Sequence, residues 1–156
     1  MNPYTAIQSQ YLAALGMLKQ VIVKCPEALW DAPGKQDKFW RKSYHTLFFA
    51  HLYLQHAEKD FVPWGKHHDP DGDLPFTKDE VLEYLSFVEK QVARCVPITD
   101  LEGESGFHWL PFSKLELQFY NIRHIQQHTG ELYERLDAHE NIELDWISSG
   151  KLKEQE

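Results

Sequence analysis

Residues 37–59 read DKFWRKSYHTLFFAHLYLQHAEK, and this stretch decides the fold class. It holds no proline or glycine, and its apolar residues recur at helical spacing. His45, Phe49, Leu52 and His56 form one stripe. Trp40, Leu47, His51 and Leu54 lie about 180–240° away at 100° per residue. A helix that is apolar all round is buried on several sides. In a small helical protein this predicts a subunit interface, a symmetric homodimer. The alternative is a long loop folding back over the same face.

The segments on either side are helical as well. Over 4–24, Ile7, Tyr11, Leu15, Leu18 and Ile22 form one stripe, which Pro26 stops. The connector 26–36 carries two prolines and a glycine, and Trp30 in it is predicted to plug one end of the core. The segment 60–76 is rich in Pro, Gly and Asp and is long for a link between helices, which lets the next helix run parallel to the last. Thr77 with Glu80, and Ser113 with Glu116, are capping-box patterns that open helices over about 78–94 and 114–138. Val81, Leu85, Val88 and Val92 line the first of these. In the second, Leu115, Phe119, Ile122, Thr129, Leu132 and Leu136 are expected to face inward. The expected fold is all-α, a four-helix bundle with a long crossover between helices 2 and 3. One domain spans 1–156, with a core over 4–138 and a tail over 139–156. In the tail, Ile142, Leu144 and Trp146 are candidates for packing before the charged end.

The chain has 156 residues, 42% of them hydrophobic and 13% aromatic, enough for a bulky core without staples. Its net charge of -8 argues against nucleic acid and against an anionic membrane surface. Basic stretches are only short, such as Lys35 to Arg41, which Asp37 interrupts. Two cysteines, Cys25 and Cys95, make no disulfide framework and no thiolate metal site. No apolar stretch approaches the ~20 residues that span a bilayer, and the first ten residues lack a secretory pattern. A cytoplasmic location is expected.

Nine histidines are many for this length. His67 and His68 sit in a polar loop and read as surface imidazoles. His108 lies in another loop, and His139 at a helix end where a cation favours the dipole. His124 and His128, four apart on one helix, point the same way, with Leu117 and Leu132 on the same side. Two such imidazoles can grip one metal ion, although hydrogen-bonded core histidines show the same spacing. His45, mid-helix on its apolar stripe, would point inward too and add a third ligand. Periodicity alone leaves His51 and His56 as rivals to it.

Two segments carry a resemblance. Phe39-Trp-Arg-Lys-Ser-Tyr-His45-Thr-Leu-Phe-Phe with His51-Leu-Tyr-Leu is one. Tyr120-Asn-Ile-Arg-His124-Ile-Gln-Gln-His128-Thr-Gly-Glu-Leu is the other. Together with the order of helices and the long middle connection, they make residues 4 to 138 similar to the DinB/YfiT-like superfamily. The resemblance implies a bundle in up-down-down-up arrangement. It also implies one metal ion held by a histidine of the second helix and an H-x-x-x-H pair of the fourth, which are His45, His124 and His128 here. Relatives include thiol-dependent S-transferases and a thiol-dependent isomerase, so it implies a low-molecular-weight thiol or another small molecule as partner.

Imidazole ligands suit Zn first, with Ni or Fe as alternatives. Such an ion brings a bound water or thiol to its anionic form near neutral pH, giving a hydrolase or a transferase. Glu131, one turn beyond His128, is the nearest carboxylate and the candidate proton acceptor. Tyr120 and Gln127 could orient a ligand, and Arg123 could meet an anionic one. A metal-binding stress or sensing protein without turnover is the competing reading. A ferritin-like di-iron site needs Glu-x-x-His motifs that are lacking. A two-His-one-carboxylate iron site would need Glu131 as ligand.

Overall fold

The computed structural model describes residues 2–34 and 37–151. Lys35, where the basic stretch begins, and the charged last five residues of the tail lie outside the described residues. The chain is all-helical, with five α-helices among those residues: α1 (Pro3–Lys24), α2 (Glu27–Trp30), α3 (Phe39–Tyr53), α4 (Lys78–Cys95) and α5 (Lys114–Glu140). α2 is a single turn inside the connector 26–36.

Local chemistry sets the helix ends. The Asn2 side chain accepts from Tyr4 N ahead of Pro3, and Pro26 follows the last turn of α1. Thr77 and Glu80 form the complete capping box at α4. At α5 the Ser113 side chain accepts from Glu116 N. Asn141 ends that helix in the left-handed conformation, φ 53°.

α3 stops at Tyr53 although its helical pattern runs on to Lys59. The buried Lys114 explains this. Its ammonium donates to Gln55 O at 2.8 Å, to His56 O at 2.7 Å, and to Ser105 O. The first two carbonyls are therefore unavailable to a further helical turn. Gly106 meets the same bend. It has φ +87°, and a Cβ there would lie 2.2 Å from His56 O, so only glycine fits.

α1 packs on α4 and α5, and α3 packs on the same two helices. All five stripe residues of the first helix and all four of the third are buried. α5 departs from expectation. Thr129, Leu132 and Leu136 are buried and Ile122 packs on the core, but Leu115 is 37% and Phe119 60% exposed. The buried side of its first turns instead carries Leu117, Gln118 and Asn121. Gln118 accepts from Tyr11 OH at 2.9 Å, and Asn121 donates to Ala50 O at 3.1 Å. Polar residues with such partners are cheap to bury, so a count of apolar letters misplaced the face.

The two stripes of α3 also exchange weight. Trp40, Leu47, His51 and Leu54 are all buried. The side of α3 away from α5 is covered by the connection after α3 and by α4. Tyr44 stacks on Phe76 at 4.0 Å and its hydroxyl meets His67 Nδ1. Phe48 packs on Phe61 at 5.2 Å, and His68 stacks on Phe76 at 3.7 Å. The loop thus folds back over that side of α3, and His67 and His68 are half-buried packing residues. Trp30 closes the same end, its Nε1 donating to Phe76 O at 2.9 Å.

The tail folds back on α1. Ile142 and Leu144 pack on the core, and Trp146 stays 74% exposed. No helix is long and apolar enough to cross a membrane among the described residues. Cys25 and Cys95 are free thiols.

Lys114→Met would leave three carbonyls without their buried donor. Urea unfolding should show a loss of about 3 kcal/mol, whereas a change under about 1 kcal/mol would mean that water replaces the ammonium.

Candidate metal centre

α3 presents His45 and α5 presents His124 and His128, one turn apart. Ring centroids lie 5.5 Å apart for His45–His124, 5.0 Å for His45–His128 and 4.5 Å for His124–His128. One nitrogen from each falls within 4.8 Å of the others. The three rings stand between α3 and α5, partly exposed, and not in the central core. His45 points away from the buried stripe of its own helix. Its neighbours Phe49 and Leu52 serve a second, smaller cluster built by Tyr53, Phe107, Leu110 and Leu117. His51 is buried, with Nδ1 at 2.9 Å from Tyr84 OH, and His56 is exposed beyond the end of α3. Neither joins the group.

The polar partners are unequal. His128 Nδ1 lies 2.9 Å from Glu131 Oε2, and His128 Nε2 lies 3.0 Å from His124 Nε2. With a proton on Nδ1 facing the carboxylate, His128 Nε2 is a bare lone pair. The proton between the two Nε2 atoms then belongs to His124, whose buried Nδ1 has no partner among the described residues. That nitrogen stays unpaired with an ion on the Nε2 side as well, so the fit to an ion rests on the Nε2 pair. Two nitrogens bound to one tetrahedral Zn at ~2.0–2.1 Å would be about 3.3 Å apart, close to the separation seen. The donor set and spacing fit a divalent ion.

Burial lowers the pKa of His45 and of His124, with neighbouring imidazoles adding to it, and His124 falls to about 4. Neutral imidazole is the metal-binding form. Glu131 accepts from Lys42 Nζ at 2.6 Å and from Gln127 Nε2 at 3.3 Å as well as facing His128. The Lys42 hydrogen bond is the main reason its pKa drops to about 2. A carboxylate so engaged is a weak base at neutral pH. Arg123 lies over the Tyr120 ring at 5.6 Å, and Phe49 packs on His45 at 4.8 Å.

Lys42 was not singled out in the sequence. It lies three residues before His45, and only the packing of α3 on α5 brings it to Glu131. Comparison with protein-family models, with curated proteins and with solved structures gives no match.

In chelator-treated protein the His124 ring should titrate with a midpoint about 4, read from its C2 proton by NMR. Its folded pKa lies below the ordinary 6.5, so the unfolded chain binds more protons between these values and stability falls as pH drops through this window. A midpoint near 6.5 would mean that the ring is not buried.

Proposed function

We propose that this chain is a DinB/YfiT-like, divalent-metal-binding protein that acts as a metal-dependent thiol S-transferase or hydrolase on a small molecule. The observation that carries the proposal is the convergence of three partly exposed imidazoles from two helices within reach of one ion. Zn is the first candidate, with Ni or Fe as alternatives.

The helix contacts support the up-down-down-up bundle that the family implies. Tyr4 OH donates to Thr99 O, past the end of α4, and Lys78 at the start of α4 reaches Cys25 O, past the end of α1. Tyr11 and Gln118 join the early parts of α1 and α5. Lys42 with Glu131, and Asn121 with Ala50, join early residues of one helix to later residues of the other in α3 and α5.

When bound, the ion would act as a Lewis acid that makes a water or a thiol nucleophilic near pH 7. His45, His124 and His128 would hold it. Glu131 would fix the His128 ring with Nε2 toward the ion, and Lys42 would hold Glu131 in place. This makes Glu131 a positioning residue in place of the proton acceptor expected from sequence. The partial exposure of the three rings favours an accessible site over a sealed structural one. A metal-binding stress or sensing role without turnover is the second reading, favoured by Phe49 packing against two of the three rings.

Elemental mass spectrometry on tag-free protein tests the site. About one Zn, Ni or Fe per chain in the wild type, lost in His45→Ala and in His124→Ala, is the expected result. A wild type that takes up no metal even from excess ions would reduce the cluster to ordinary histidines and end the enzyme reading. Glu131→Gln should bind metal about 10–100-fold more weakly, by competition with a chromophoric chelator, while remaining folded. An unchanged affinity would show that Glu131 does not position His128.

A further inference from the structure

On the opposite side of α5 from the histidines, α1 and α5 enclose a second concavity with the tail as its third wall. Its volume is about 390 Å³, within the ~300–1,000 Å³ of small-molecule sites. The floor is small and apolar, with Ala13, Ala14 and Ile7 from α1 facing Ile122 from α5.

The tail is fastened as a strap. Lys24 Nζ donates to Glu143 O at 2.7 Å, and the Gln20 side chain holds both the carbonyl and the N–H of Asp145, at 2.8 and 2.9 Å. Gln10 Nε2 donates to Ser148 O at 3.2 Å, and Gly150 N donates to Ser9 O at 3.1 Å. A Cβ on Gly150 would stand 2.4 Å from Leu12 Cβ and 3.0 Å from Ala13 N, so the close approach of the tail to α1 relies on that glycine. Ordering eight residues of tail costs conformational entropy, and these bonds offset it along one line of α1.

Two aromatic rings of this cavity face solvent: Trp146 is 74% and Phe119 60% exposed. Exposed apolar surface beside a concavity marks a binding surface, and an occupant would cover both rings. The electrostatics select its charge. The chain has 24 acidic residues, but Pro3–Lys24 contains none, and none lines the cavity. The single charged lining residue is Arg123, which has no ion-pair partner among the described residues. One isolated guanidinium suits one carboxylate, whereas an anionic membrane calls for a cluster of cations.

We propose that the groove between α1, α5 and the 143–150 strap binds one small amphipathic anion. Its apolar chain or ring lies between Trp146 and Phe119, and its carboxylate meets Arg123. The proposal is independent of the metal centre, because it uses the other side of α5.

Dodecanoate, kept below its micellar concentration, is the probe. It is titrated into the full chain and followed by calorimetry and by tryptophan fluorescence. Saturable binding of one molecule per chain is expected, with a blue shift that disappears in Trp146→Phe. Arg123→Gln should weaken dodecanoate about tenfold and leave the binding of dodecanol unchanged. Ala6 is exposed at the groove, so Ala6→Trp should abolish binding with an unchanged circular dichroism spectrum and thermal midpoint. Non-saturable uptake, equal binding by Ala6→Trp, or association only with lipid vesicles would overturn the proposal. A dimer in sedimentation that Ala6→Trp abolishes would also overturn it, since a second copy would then cover the groove.

Discussion

The seam between α3 and α5 is the contact on which the candidate site depends. It is held at two places by polar bonds, Lys42 to Glu131 and Asn121 to Ala50 O. His45 lies between Lys42 and Ala50 on one helix, and His124 and His128 lie between Asn121 and Glu131 on the other. A slip of one helical turn would move His45 about 5.4 Å along its neighbour and separate the rings. Hydrophobic packing alone tolerates such slips. Directional hydrogen bonds, one from a buried amide and one to a carboxylate, do so far less.

The same economy of polar contacts shapes the rest of the fold. Lys114 takes the carbonyls of Gln55 and His56 just past the end of α3, where the chain turns into the long connection that covers the remaining face of that helix. That connection brings His67 and Phe76 onto Tyr44, with His68 stacked on Phe76, so the loop covers part of a helix that is apolar all round. At the other end of the sequence the tail is held by side chains of α1 to backbone atoms, which leaves Trp146 free to stand over the α1–α5 groove. The histidine cluster and this groove thus share α5 as a common wall, with different chemistry on its two sides.

Much of the helical layout was legible because it rests on local rules. Thr77 with Glu80, Ser113 with Glu116, and Pro26 placed helix ends to within a residue or two, and the stripes of α1 and α4 are the buried ones. The failures share one cause. Where both faces of a helix are apolar, as in α3, or where core positions are polar, as with Gln118 and Asn121, periodicity cannot say which face turns inward. Phe119 read as core and stands in solvent. His45 read as inward and lies half-buried beside the α5 histidines, outside the main core cluster. Glu131 was found by its spacing from His128, but its engagement with Lys42 depends on two helices meeting.

The sequence by itself determined that this chain is helical, where most of its helices begin and stop, and that His124 and His128 share a face. Those properties follow from spacing along one segment and from chemistry within one turn. Only the tertiary structure decided that His45, and neither His51 nor His56, meets that pair, that Lys42 reaches Glu131, and that the tail walls a groove on α1. Each of these joins residues far apart in the chain. Their distances are set by how side chains interlock between helices, which no pattern within a single helix encodes.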